Sequence, residues 1–237
     1  MTTTLKRTGD RAGVSPWEGA RAERRLGMWL ARATAGIGAA YVVTFIIGFA
    51  SMGDLSKPLE DPYLAIAEFL ILVMAPILVL LMVIVHQCAP ERTRIYSMSA
   101  VGWMLLLAGF TMTVHVVELT AVRRLSATAI PGSAYLFGWH WPSVFYAIDV
   151  VAWDVFFGLA LLFAVPVFHA TGHTAARNGL LVAGCLSILG MIGPAIGHIA
   201  WREIGILGYA IVFPIACVAI SRAFRDSPVS VSDSECK

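Results

Sequence analysis

The sequence predicts an all-α protein, a polytopic bundle of about six transmembrane helices, and three observations carry that expectation. Of the 237 residues, 58% are hydrophobic and only 14% are charged. The mean hydropathy is +0.77, far from the balance of an ordinary soluble domain. Apolar runs long enough to cross a ~30 Å hydrocarbon core at ~1.5 Å per residue recur six times. A bundle of that size uses nearly the whole chain and leaves no room for a separate soluble catalytic domain. Any chemistry therefore belongs in or beside the bilayer.

Residues 1–27 form a polar, Arg-rich tail, and the first apolar run lacks a small-residue cleavage site, which predicts an uncleaved anchor. The predicted spans are 28–51, 62–88, 96–121, 143–169, 178–201 and 204–222. The last two are separated only by Trp201, Arg202 and Glu203, so they are expected to form a tight antiparallel hairpin. Pro76, Pro166, Pro194 and Pro214 fall inside spans, where each frees a carbonyl four residues earlier and invites a kink. The segment 122–143 is long enough to re-enter the membrane in part, and 223–237 is a polar tail.

Orientation follows from the basic residues near the span ends. With both termini inside, Lys6, Arg7, Arg11, Arg21, Arg24, Arg25, Arg92, Arg94, Arg177, Arg222 and Arg225 are cytoplasmic, against Lys57, Arg123, Arg124 and Arg202 outside. Both termini are expected in the cytoplasm. The excess of Arg over Lys, 14 to 3, is a compositional pointer to a GC-rich bacterial genome, hence to a bacterial inner membrane.

Composition also excludes several function classes. Cys88, Cys185, Cys217 and Cys236 form no CxxC, which leaves nothing for thiol–disulfide exchange or a cysteine-rich zinc module. A net charge of +2 is no nucleic-acid footprint. Lys6, Lys57 and Lys237 all lie outside the spans, so no lysine is placed to carry a retinal Schiff base.

Carboxylates at membrane depth are the informative residues. An Asp near a helix centre costs roughly 2.5 to 3.5 kcal/mol on insertion scales, so each calls for a partner or a function. Glu68 lies in the second span, Glu118 in the third, Asp149 and Asp154 in the fourth, all between the outer interface and the midplane. His115 and Glu118, at i and i+3, share a face with Thr111 one turn deeper. Asp149 and Asp154 are about 140° apart on a regular α-helix, with Tyr146 and Trp153 on the Asp149 side and Phe157 and Gly158 on the other. His198 and Arg202 at i and i+4 would share a face in the fifth span, with Trp201 beside them. Arg202, Arg123 and Arg124 are the available counter-charges, and a structural ion-pair network is the plainest account of the set. Above this layer the connection carries Tyr135, Phe137, Trp139, His140, Trp141 and Pro142, a set suited to an interfacial aromatic belt or, with a turn at Pro131 and Gly132, to a cover over a cavity.

These residues predict an intramembrane enzyme acting on a hydrophobic, lipid or isoprenoid-like (terpenoid) substrate by carboxylate/histidine acid–base chemistry, of the isomerase or lyase type, without a cofactor. Asp154 and Asp149 are the expected acids, His115 with Glu118 the base, and Glu68 an orienting partner. Trp139, Trp141, Trp153, Tyr146, His198 and Trp201 are the expected substrate contacts, their aromatic faces suited to a developing carbocation. Cyclisation, double-bond isomerisation and epoxide opening all fit. The alternative is electron transfer by two b-type haems, with His86/His169 and His115/His198 as axial pairs and the Gly184, Gly190, Gly193, Gly197 run admitting a macrocycle. The helix alternation is similar in kind to that of di-haem b-type cytochromes, without a shared motif. A small transporter or proton-coupled binding protein is the third reading. The H-x-x-E spacing of His115 and Glu118 is too little to predict a metal, and HExxH is absent.

Overall fold

The structure is a computed structural model, and it describes residues 16–52, 59–125 and 131–226. It is 88% helix with no strands among the described residues. Six helices are long and apolar enough to cross a membrane: Arg21–Met52, Tyr63–Gln87, Glu91–Arg124, Val144–Ala170, Thr174–Ala195 and Ile199–Asp226. Each packs on its neighbour in chain order, and the last packs back on the first, so the six close into a ring. Leu78, Met82, Met104, Leu107, Phe157, Leu161, Leu180 and Ile220 fill the interior, each fully buried.

The second and fourth spans agree with the predicted boundaries to within a residue, and the third's α-helix, Arg94–Thr120, to within two. Ser143 caps the fourth by accepting from the Tyr146 backbone N–H, which satisfies one of the free donors of the first turn. The first helix begins at Pro16, well before the predicted residue 28, because the polar residues preceding the apolar run continue its helical path.

The hairpin between the last two spans turns earlier than the sequence predicts. The fifth span's helix stops at Gly190, a short turn Ile192–Ala195 follows, and Gly197 takes the left-handed conformation at φ 78° that favours glycine. The chain re-enters through the tight turn Ile199–Arg202. His198 therefore precedes the last span without a helical backbone, and it does not share a helix face with Arg202: His198 is exposed and Arg202 is buried. Arg202 belongs to the first turn of the sixth span, not to an exterior corner.

Two spans leave the regular α path. Val151–Phe156 in the fourth and Leu207–Val212 in the sixth are π-helical, a wider turn in which each N–H bonds five residues back. The second ends just before Pro214, whose missing N–H already interrupts the α ladder. No residue in the first compels it.

Candidate functional site

The bundle end that carries the 121–143 connection holds a continuous buried chain of charged side chains drawn from four spans. His115 of the third span is 2% exposed and has a carboxylate at each ring nitrogen. Its Nδ1 makes a short contact with Glu68 Oε2 of the second span. Its Nε2 faces Asp149 Oδ1 of the fourth at 3.5 Å, beyond an ordinary hydrogen bond. Arg202 Nη2 donates to the other Asp149 oxygen at 2.8 Å, and Arg202 Nε lies 3.6 Å from Asp154 Oδ2. The guanidinium carbon sits 4.5 Å from the centre of the Tyr146 ring, a cation–π contact.

The π turn explains how Asp149 and Asp154 meet one arginine. A five-residue separation on a regular helix would direct them about 140° apart, whereas the wider turn between them brings both to Arg202. Asp154 is fully buried where the fifth and sixth spans touch: a Cβ added at Gly190 would lie 2.7 Å from the Gly205 Cα and 3.1 Å from Asp154 Oδ1. Glycine at both positions is what lets the backbones approach with a carboxylate between them.

Trp139 of the connection stacks on His115, with ring centres 5.4 Å apart and planes 25° from parallel. The tip of the connection thus lies over the imidazole, as a cover would. Trp153 is buried against Tyr209 and Phe157, on the interior side of the fourth span. Glu118 is buried one turn from His115 towards the bundle end. Trp141 is half-buried in the connection, while Tyr135 is exposed. Trp201 is 53% exposed and, like His198, stands outside the buried chain.

Several buried polar atoms in this layer have no hydrogen-bond partner: Thr111 Oγ1, Glu118 Oε2, Trp139 Nε1, both Asp154 oxygens and Ser187 Oγ among them. The two hydroxyls are unusual for this chain. Thr34, Thr44, Ser99, Thr113, Thr120 and Thr171 each donate to the carbonyl four residues earlier, the usual way a hydroxyl is satisfied inside an apolar helix. Thr111 and Ser187, both fully buried, do not. Ser187 and Tyr209 carry no signal in sequence, since a hydroxyl or phenol in an apolar span is ordinary.

The remaining histidines are occupied differently. His86 Nδ1 is 2.8 Å from Ser97 Oγ, and the exposed His169 Nδ1 is 3.2 Å from Arg177. His115 faces two carboxylates and an indole. Among the described residues no group of three or more His, Cys, Asp or Glu is arranged to hold a metal ion. No protein-family model, curated protein or solved structure matches this chain.

Proposed function

We propose that this protein is a multi-pass enzyme of a bacterial inner membrane that rearranges a hydrophobic lipid or isoprenoid-like substrate by acid–base chemistry, without a cofactor. The observation that carries the reading is His115, held between Glu68 and Asp149 beneath the Trp139 indole. A carboxylate on Nδ1 fixes the imidazole orientation and turns Nε2 towards Asp149 Oδ1, 3.5 Å away and not hydrogen-bonded, so that Nε2 is the nitrogen that exchanges the working proton. Asp149 is in turn fixed by Arg202, and Asp154 supplies a second, deeply buried carboxyl. One carboxyl protonates an alkene or epoxide, the aromatic faces of Trp139, Trp153 and Tyr146 stabilise the cation that develops, and His115 removes a proton from a neighbouring carbon. The proton added equals the proton removed, so the product is an isomer of the substrate. Low-dielectric surroundings strengthen each electrostatic contribution to that step. The electron-transfer alternative needs facing imidazoles, and His115 faces Asp149 and Trp139 instead.

The test is comparative lipid mass spectrometry of a bacterial host expressing the wild-type chain, an empty vector, or Asp154→Asn, Asp149→Asn and Glu68→Gln at matched membrane levels. The wild type is expected to convert one lipid into an isobaric species with a different retention time, and each variant to lower that conversion at least about a hundredfold, the lower end of what a general acid–base group contributes. Unchanged product formation in all three variants would sink the carboxylate mechanism.

A further inference from the structure

Charge and donor inventory at this site restrict the headgroup it can accept; the inference deepens the enzymatic reading above and rests on it. The buried layer contains four carboxylates, Glu68, Glu118, Asp149 and Asp154, and one arginine, Arg202. Ionised, the carboxylates repel a phosphate. Protonated, they leave Arg202 as the fixed cation of the layer, and it is already committed to Asp149, to the Tyr146 face and to the neighbourhood of Asp154. His115 has a carboxylate at each nitrogen. Arg123 and Arg124 are exposed at the bundle end, and Arg123 is held by Asp61 at 2.6 Å. In neither protonation state does this layer offer a phosphate the clustered cations it requires.

The groups left unpartnered point to a different ligand atom. Trp139 Nε1 can only donate, and it is buried with no acceptor. Thr111 lies one helical turn from His115 on the same buried stripe, and its hydroxyl is withheld from the backbone carbonyl that satisfies comparable threonines in this chain. Glu118 Oε2, on that stripe at the other side of His115, is a free acceptor. A single uncharged oxygen set between the indole and Thr111 would accept from both, whereas Glu118, two helical turns from Thr111, is left to a second polar group. We propose that the site binds lipids whose polar part is one uncharged oxygen, an alcohol, ether or epoxide, held by Trp139 and Thr111 beside His115, and that it rejects phosphorylated lipids.

The experiment uses the full chain in lipid nanodiscs, with farnesol, geranylgeraniol, farnesene and farnesyl diphosphate as probes of thermal stability and of binding by competition. Farnesol or geranylgeraniol is expected to raise the melting temperature saturably, with farnesene and farnesyl diphosphate giving no saturable shift. Trp139→Phe, which keeps an aromatic face and loses the N–H, and Thr111→Val, nearly isosteric, are each expected to weaken alcohol binding by up to about tenfold and to leave the ligand-free melting temperature close to wild type. Tighter binding of the diphosphate, equal binding of farnesene, or no shift with either alcohol overturns the proposal. Its failure is distinguishable from that of the enzymatic reading: diphosphate binding with product formation lost in Asp154→Asn sinks only the headgroup inference, whereas alcohol binding with product formation untouched in the carboxylate variants sinks only the chemistry.

Discussion

The guanidinium of Arg202 reaches Asp149 through Nη2 at 2.8 Å and stands 3.6 Å from Asp154 through Nε, and both carboxylates are buried. Removing it strands two acids in an apolar interior. Arg202→Met is expected to cost about 3 to 5 kcal/mol, the usual penalty for breaking a buried pair from one side. Arg202→Lys keeps the charge but loses the planar fork, so it cannot reproduce both contacts and should recover only part of that loss. The double variant Asp149→Leu/Arg202→Met removes one pair together but leaves Asp154 buried without its cation, so its stability is expected to recover only part of the loss, and adding Asp154→Asn should bring it to within about 2 kcal/mol of wild type. Its lipid conversion should stay absent. Chemical denaturation in mild detergent, read beside lipid mass spectrometry, separates the two: a stable, active double variant would make the pair structural alone.

Close approach of the fifth and sixth spans depends on Gly190 and Gly205, with Asp154 between them. A Cβ at Gly205 would run into Asp154 Oδ1 and lie 3.2 Å from both the carboxyl carbon and the Gly190 Cα, so Gly205→Ala must displace backbone or carboxylate. The expected cost is about 1 to 3 kcal/mol, the range for overpacking. Gly102 and Gly109 in the third span have nothing within 4 Å of an added Cβ, and there alanine should be neutral or stabilising by up to about 1 kcal/mol. Thermal melts of the three variants check the contrast; equal shifts would mean that the spans do not touch as described. These helices also mark what could be read from sequence. The spans were legible because length and apolarity fix them, and the acidic layer because Asp and Glu at membrane depth stand out from everything around them. The π turn at Val151–Phe156 was not, since that wider winding leaves no residue signature, and without it Asp149 and Asp154 seem to diverge. Arg202 was visible only as a counter-charge near a corner. Its burial depends on the turn falling at Gly197, which a short polar stretch of Trp, Arg and Glu obscures.

At the scale of the whole molecule, the ring of six spans puts the start of the first span and the close of the sixth at the same end of the bundle, where Gly27 of the first span meets Ile84 of the second and Phe224 of the sixth. The burial of Arg202 sharpens the charge asymmetry, because an arginine committed to buried carboxylates is no longer a topology signal at the interface. What remains at the connection end among the described residues is Arg123 and Arg124, against Arg92, Arg94, Arg177, Arg222 and Arg225 near the other. The positive-inside rule then predicts cytoplasmic chain ends, with the His115 layer in the outer half of the bilayer. Alkaline phosphatase fused after Lys237 is expected to be inactive, and a green fluorescent protein at the same position fluorescent, whereas phosphatase inserted within residues 126–130 is expected to be active. The reverse pattern would turn the acidic layer towards the cytoplasmic leaflet. Under the proposed function, orientation therefore decides which leaflet would deliver the substrate: with the predicted topology, the proposed lipid would reach Trp139 and His115 from the outer leaflet.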